Sequence, residues 1–304
     1  MNTYFDFFKM IPEAVLVAVL VILFVADFAS AKQAQHRWLN ALASVLMIPV
    51  IVAPLCCCEG VSAFGGMYVT TGAVNVMKTI LAAGTLIVLI QSRQWAEQNK
   101  YEGEFYMLIV STLLGMFMMM SAGHFLMFFL GLEMASVPLA CTVAFDKHRK
   151  ESAEGAAKFI LTATFSSGVM LFGISFIYAA TGTLYFDGVA SQLSEFNLQC
   201  SMLNILGLVF FFSGLGFKIS LVPFHFWTAD TYQGAPTPVT GYLSVVSKGA
   251  AAFTLCTILM HVFKAMVVEW QLLLSIVSVL SITIANLFAI RQSELKRFMA
   301  FSSI

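Results

Sequence analysis

Apolar runs long enough to cross a lipid bilayer follow one another almost without pause from Ile11 to Ile304, and this feature decides the fold class. A transmembrane helix needs about 20 mostly apolar residues, because the hydrocarbon core is ~30 Å thick and a helix rises ~1.5 Å per residue. Stretches such as "AVLVAVLVILFV" and "FLMFFLGLEMASVPLA" are apolar all round. A transmembrane barrel would instead alternate lipid-facing apolar with lumen-facing polar residues in short segments. Composition agrees: of 304 residues, 60% are hydrophobic and 11% charged, mean hydropathy is +0.88, and an ordinary soluble domain is roughly a quarter charged. The chain reads as an all-α polytopic membrane protein.

Nine complete spans are expected, over 11–29, 38–54, 72–91, 105–121, 123–144, 155–180, 203–227, 238–264 and 270–290, with 295–304 beginning a tenth. The "ASA" at 29–31 leaves the first span a second reading, as a cleaved signal peptide. Its leading segment "MNTYFDFFKMIPE" holds two acids against one lysine, the wrong sign for that role. Orientation follows from the basic residues. Lys32, Arg37, Arg93, Lys100, Lys147, Arg149, Lys150, Arg291, Lys296 and Arg297 gather after spans one, three, five and nine, while Lys9 and Lys264 lie opposite and the 181–202 connection carries only Asp187 and Glu195. The N-terminus is therefore expected outside and the basic loops inside.

Cysteine usage says little. Cys56, Cys57, Cys58, Cys141, Cys200 and Cys256 have no metal-ligand spacing and read as small buried residues; a disulfide between the 56–58 group and Cys200 stays open. No phosphate loop, dinucleotide fingerprint, haem motif or iron-sulfur pattern is present, which assigns any redox chemistry to another chain.

The main functional signal is the charge left inside the apolar spans. A charge at the bilayer centre costs about 3 kcal/mol on insertion scales, so such groups pair or line a hydrated path. Glu133 stands mid-span in "FFLGLEMASVPL", and Lys78, Lys158, Lys218 and Lys248 lie within other spans. Lys158 and Lys78 lie close enough to the ends of their spans to snorkel to the surface, and Lys78 is read that way. Lys218 and Lys248 are too deep for it, leaving a structural pair or a functional role. The stretch "GLGFKISLVPFHFW" adds Pro223, which cannot donate to the carbonyl of Ile219 and predicts a break in the seventh span. Interrupted spans bearing ionisable groups recur in ion-moving proteins. His225, beside the break, has an ordinary pKa of about 6.5, suited to passing a proton near neutrality; a satisfied interior histidine is the plainer alternative.

The segments "FLGLEMASVPL" (129–139), "EGAAKFILTATFSSGVMLFGISFIYAATGT" (154–183), "GLGFKISLVPFHFWTADTYQGAPTPVTGYLSVVSKGAAA" (214–252) and "ANLFAIRQSELKRFMAFSSI" (285–304) closely resemble the antiporter-like, proton-translocating membrane subunits of bacterial NADH-quinone oxidoreductase, respiratory complex I. Multisubunit sodium/proton antiporters share that family. The likeness covers most of residues 105–304. It implies that Glu133 couples neighbouring channel units, that Lys158 lies on the same polar axis, that Lys218 is the central proton-binding lysine, that His225 is a bridging relay and that Lys248 carries the proton onward. It gives Lys78 no role. It also implies a three-helix segment over 1–104, a first five-helix repeat forming a proton half-channel over 105–264, and the start of an inverted second repeat over 265–304.

The family has about fourteen helices, so the remainder, with its exit-side lysine, is expected from a longer form of the chain or a separate polypeptide. By the same resemblance this chain holds no cofactor and is the non-redox part of a translocase. FMN, iron-sulfur clusters, NADH and quinone are expected in partner subunits, among neighbouring antiporter-like and small helical subunits of a bacterial inner membrane. Its working contacts are the lipid bilayer and protons, with no nucleic acid. Two other classes stay open. One is a subunit of a sodium/proton antiporter or membrane-bound hydrogenase complex; the other is a scaffold whose buried charges only lock helices together.

Overall fold

The computed structural model describes residues 6–30, 38–57, 60–98, 101–194 and 202–304. Lys32, Arg37, Lys100, Glu195, Cys58 and Cys200, which enter the charge and cysteine readings, lie outside the described residues. The described chain is helical almost throughout, and nine of its helices are long and apolar enough to cross a membrane.

The helices are α1 (Ile11–Ser30), α2 (Trp38–Cys56), α3 (Gly72–Ala96), α4 (Glu102–Met120), α5 (Phe125–Val143), α6 (Lys150–Thr181), the short α7 (Phe186–Leu193), α8 (Met202–Ile219), α9 (Phe226–Gly234), α10 (Thr237–Tyr242), α11 (Lys248–His261), α12 (Val267–Ile290) and α13 (Leu295–Ser302). A small antiparallel hairpin, β1 (Ser62–Ala63) and β2 (Tyr68–Val69), precedes α3. Thr71 caps α3 by accepting a hydrogen bond from the Val74 amide at 3.3 Å, satisfying an orphan donor of the first turn. α6 ends on Gly182, at φ 71°, a left-handed cap that glycine adopts without steric cost. At 32 residues α6 is about 48 Å long, well beyond the hydrocarbon thickness. It therefore begins at Lys150, inside the basic cluster, and not at 155 as hydropathy alone suggested.

The seventh span is discontinuous as expected. α8 stops at Ile219, Ser220 takes φ 70°, and helicity resumes at Phe226. The broken backbone is re-satisfied inside protein: the Val222 amide donates to Ser281 Oγ at 3.0 Å, and the Trp227 indole donates to the Phe217 carbonyl at 3.1 Å. Irregular backbone at membrane depth survives only where such partners or a wet cavity exist. A second irregularity was not expected: Leu243–Ser247, between α10 and α11, is a π-turn.

The chain forms two compact units. The first holds residues 1–123, 127–145 and 237–250. In it α1 packs on α2 and α4, and α3 on α2, α4 and α10. Where α4 crosses α5 the backbones touch: a Cβ built on Gly115 would sit 2.4 Å from the Ala135 nitrogen, and one on Gly131 2.5 Å from the Met119 nitrogen. Small residues at such crossings replace the hydrophobic drive that lipid cannot supply. The second unit holds residues 124–126, 146–236 and 251–304, with α6 against α8 and α9, and α13 against α9 and α12.

Two sequence-level expectations fail here. Cys56, Cys141 and Cys256 are exposed and Cys57 is half-buried, so these cysteines point outward from the helices and are not core residues; no disulfide joins the described ones. Lys78 does not snorkel. It is fully buried, with Nζ 2.5 Å from Glu13 Oε1 and 3.3 Å from the Tyr68 hydroxyl. Glu13 belongs to α1, so the ion pair builds the first span into the packed unit.

Candidate proton-relay site

Lys218 sits in the last turn of α8, 4% exposed, immediately before the break. Its Nζ lies 5.8 Å from the centroid of the Phe159 ring, within reach of a cation–π contact. Phe159 packs in turn with Phe217 and Trp227, the three rings tilted by 35° to 59° with centroids 5.0 to 6.1 Å apart. The lysine is thus held among aromatic rings at a helix end, out of lipid. A largely apolar recess of about 180 Å³ is lined by residues that include Thr162, Ser166, Ser213, Phe217, Pro223 and Trp227.

His225 occupies the position preceding α9, 4% exposed. Its ring lies 4.5 Å from that of Phe226 and 6.4 Å from that of Phe288. Its buried Nδ1 has no hydrogen-bond partner in the structure. A buried polar nitrogen is normally bonded, and exceptions concentrate where a group has a chemical role.

Lys158 lies two turns into α6, which carries it to the membrane end of the second unit. Its Nζ is 2.5 Å from Asp230 Oδ2 on α9 and 2.6 Å from Glu154 Oε1. Asp230 also accepts from the Arg297 guanidinium at 3.0 Å, and Arg297 donates to Gln233 Oε1 at 2.7 Å. Asp230 thus ties α6, α9 and α13 together through one carboxylate. The side chain of Lys158 is 43% exposed and that of Asp230 27%, so water screens the pair. Replacing Asp230 by alanine is expected to cost about 1 kcal/mol, read as a lower unfolding midpoint of the purified chain in detergent.

Glu133 and Lys248 belong to the first unit. Glu133 is half-buried on α5, beside a stripe of exposed apolar residues, Leu126, Leu130, Met134 and Val137. This places a carboxylate at the edge of a face suited to another apolar surface. Lys248 is 8% exposed and opens α11 directly after the π-turn. A Cβ built on Gly249 beside it would lie 3.8 Å from Met77 and 3.7 Å from Leu81 of α3. One turn earlier, buried Tyr242 accepts from Thr112 Oγ1 at 2.7 Å.

The five residues expected from sequence therefore divide: Lys158, Lys218 and His225 share the second unit, Glu133 and Lys248 the first. Sequence reasoning gave no role to Asp230, although it lies in the quoted "WTADTYQGAPTPV", nor to Tyr68 and Glu13. The usable signal for Glu13 was depth. It and Lys78 fall within the first two turns of the first and third spans, which enter the membrane from the same side.

Multi-pass helical bundles with buried ionisable residues and a broken helix recur among ion-moving membrane proteins. The chain belongs to the family described as NADH:quinone oxidoreductase/Mrp antiporter, TM, whose model matches residues 122–304. NADH-quinone oxidoreductase subunit N of Phocaeicola vulgatus is 55% identical over 295 residues, covering 96% of this chain and 61% of the relative. The protein of that name from Azobacteroides pseudotrichonymphae is 48% identical over 298 residues, again 61% of its length. This chain thus spans about three-fifths of the curated relatives it matches. Among solved structures, a chain of respiratory complex I from Thermus thermophilus superposes with TM-score 0.76 at 27% identity, covering 96% of this chain and 61% of that one. A chain of an archaeal membrane-bound sulfane sulfur reductase superposes with TM-score 0.81 at 23% identity over 96% of this chain and 62% of that one, a likeness of fold alone.

Proposed function

We propose that this chain is a proton-translocating portion of subunit N of a bacterial NADH-quinone oxidoreductase, with Lys218 as its central proton store. The observation that carries the reading is Lys218 buried at the broken end of α8, its Nζ 5.8 Å from the Phe159 ring, and followed across the break by His225. Burial favours a neutral amine and a nearby carboxylate favours the ammonium. Lys218 is thus a group whose proton occupancy follows its surroundings. His225, with Nδ1 open, accepts and passes that proton; Lys248 carries it onward, and Glu133 at its apolar face links this channel to the next. Lys158, held by Asp230, serves the polar axis from the basic side. Residues 105–264 are the first repeat in this reading and 265–304 the beginning of the second.

Partner subunits hold the FMN, iron-sulfur clusters and NADH and quinone sites, and the assembly sits in the bacterial inner membrane. Isolation of the full-length chain from native membranes tests this. Co-purification with flavin and iron-sulfur subunits, and proton movement that requires NADH and quinone, are expected. Sodium-dependent transport without a redox donor would favour the antiporter reading instead.

Orientation has its own check. With the basic loops inside, a cysteine substituted at Lys147 should react with a membrane-impermeant maleimide in inverted vesicles and stay unlabelled in intact cells, against a background lacking the native cysteines. The opposite pattern would reverse the topology.

A further inference from the structure

We propose that Glu13, Lys78 and Tyr68 form an additional proton-exchanging site, near the N-terminal mouth of the first unit and adjoining the helix of Lys248; this rests on the translocation reading above. The cluster is closed. Lys78 Nζ lies 2.5 Å from Glu13 Oε1, the Tyr68 hydroxyl donates to Glu13 Oε2 at 2.8 Å, and Lys78 Nζ is 3.3 Å from that hydroxyl. Lys78 and Tyr68 are 0% exposed and Glu13 3%. The Phe117 ring of α4, 5.5 Å from Nζ, covers the ammonium, and among the described residues the Cys57 thiol just beyond α2 also lies in electrostatic range.

A static lock explains this poorly. Taking two ions out of water costs several kcal/mol each, and packed apolar residues of similar volume hold helices as well or better. What the ion pair adds is chemistry. A proton leaving Lys78 Nζ for Glu13 Oε1 breaks one N–H bond and forms one O–H bond. The pair has zero net charge before and after, so no new charge is left in the low dielectric.

Titratable groups flank the cluster on two sides. On one side, the hairpin that carries Tyr68 is roofed by the surface pair Asp6–Lys9 at 2.8 Å, with Lys9 Nζ donating to the Ser62 carbonyl at 3.2 Å and the Phe64 amide to Asp6 Oδ2 at 3.3 Å. That roof carries titratable groups in water: hydrogen bonding from Lys9 holds the Asp6 carboxyl below the usual carboxylate range. On the other side, a Cβ built on Gly249, next to Lys248, would lie 3.7 Å from Leu81 and 3.8 Å from Met77, near neighbours of Lys78 on α3. The cluster thus lies one helix away from a lysine of the relay.

The test uses the full-length chain in its membrane complex and compares Glu13→Leu with Lys78→Met together, Lys78→Arg alone, and Lys218→Ala as control. Abundance is read on native gels and protons per electron pair in vesicles. The double variant removes both charges, so a mere lock predicts full abundance and full yield. Lys78→Arg keeps the positive charge but holds its proton. Full abundance with loss of proton yield in both variants is the expected result. Full yield in an assembled variant, or failure of both to assemble, makes the cluster structural and overturns the inference. Full yield from Lys218→Ala as well would overturn the translocation reading and this inference with it.

Discussion

Replacing Lys218 by alanine is expected to abolish proton translocation through this chain while leaving its abundance in the membrane unchanged. The lysine is buried at the end of a helix that already terminates there, and Ser281 and Trp227 bond the backbone of the break. Removing the amine therefore deletes the proton store without undoing the break. The magnitudes are sufficient for such a store. Two unit charges 4 Å apart at an effective dielectric of 20 interact by about 4 kcal/mol, or roughly three pKa units. Moving one charge against the membrane potential costs about 2.3 kcal/mol per 100 mV. A charge displaced near Lys218 is thus enough to switch it between holding and releasing a proton. Dye-quench measurement of protons per electron pair in inverted vesicles is the check, and an unchanged yield would refute the assignment.

Gly131→Val is expected to have the largest effect on folding. Its Cβ would lie 2.5 Å from the Met119 nitrogen and 2.8 Å from the Met119 Cα, backbone atoms of α4 that have no flexible end to move aside. Overpacking a well-fitted core costs about 1–3 kcal/mol even when side chains can give, and here the two helices must separate. The chain should fall to a small fraction of wild-type abundance on an immunoblot of membranes. Gly168→Val is the matched control: no atom lies within 4 Å of its built Cβ, and abundance should be unaffected. Equal abundance of the two variants would mean that the α4–α5 crossing does not depend on that close approach.

The spans were legible because bilayer thickness imposes a run length that composition alone reveals. The break in the seventh was legible because Pro223 lacks the donor a helix needs. Lys78 was misread for a physical reason. Snorkelling and burial differ only in whether a counter-ion waits at the same depth, and Glu13 is 65 residues away in sequence. Asp230 was hidden similarly, since a carboxylate near a membrane end reads as surface until Lys158 and Arg297 from two other helices are seen to share it. The hairpin of Tyr68 is too short to leave a periodic signal, and its role is set by the ring and hydroxyl it places beneath the turn.

The π-turn over Leu243–Ser247 has a geometric effect that reaches beyond its own residues. Such a turn accommodates one residue more than an α-turn, and one residue is about 100° of rotation. A single helical wheel drawn through 237–261 therefore misdirects everything after Ser247 by more than a quarter of a circle. The azimuth of Lys248, and with it the choice of neighbour that the amine addresses, is governed by how many residues the widened loop holds as much as by the lysine being there.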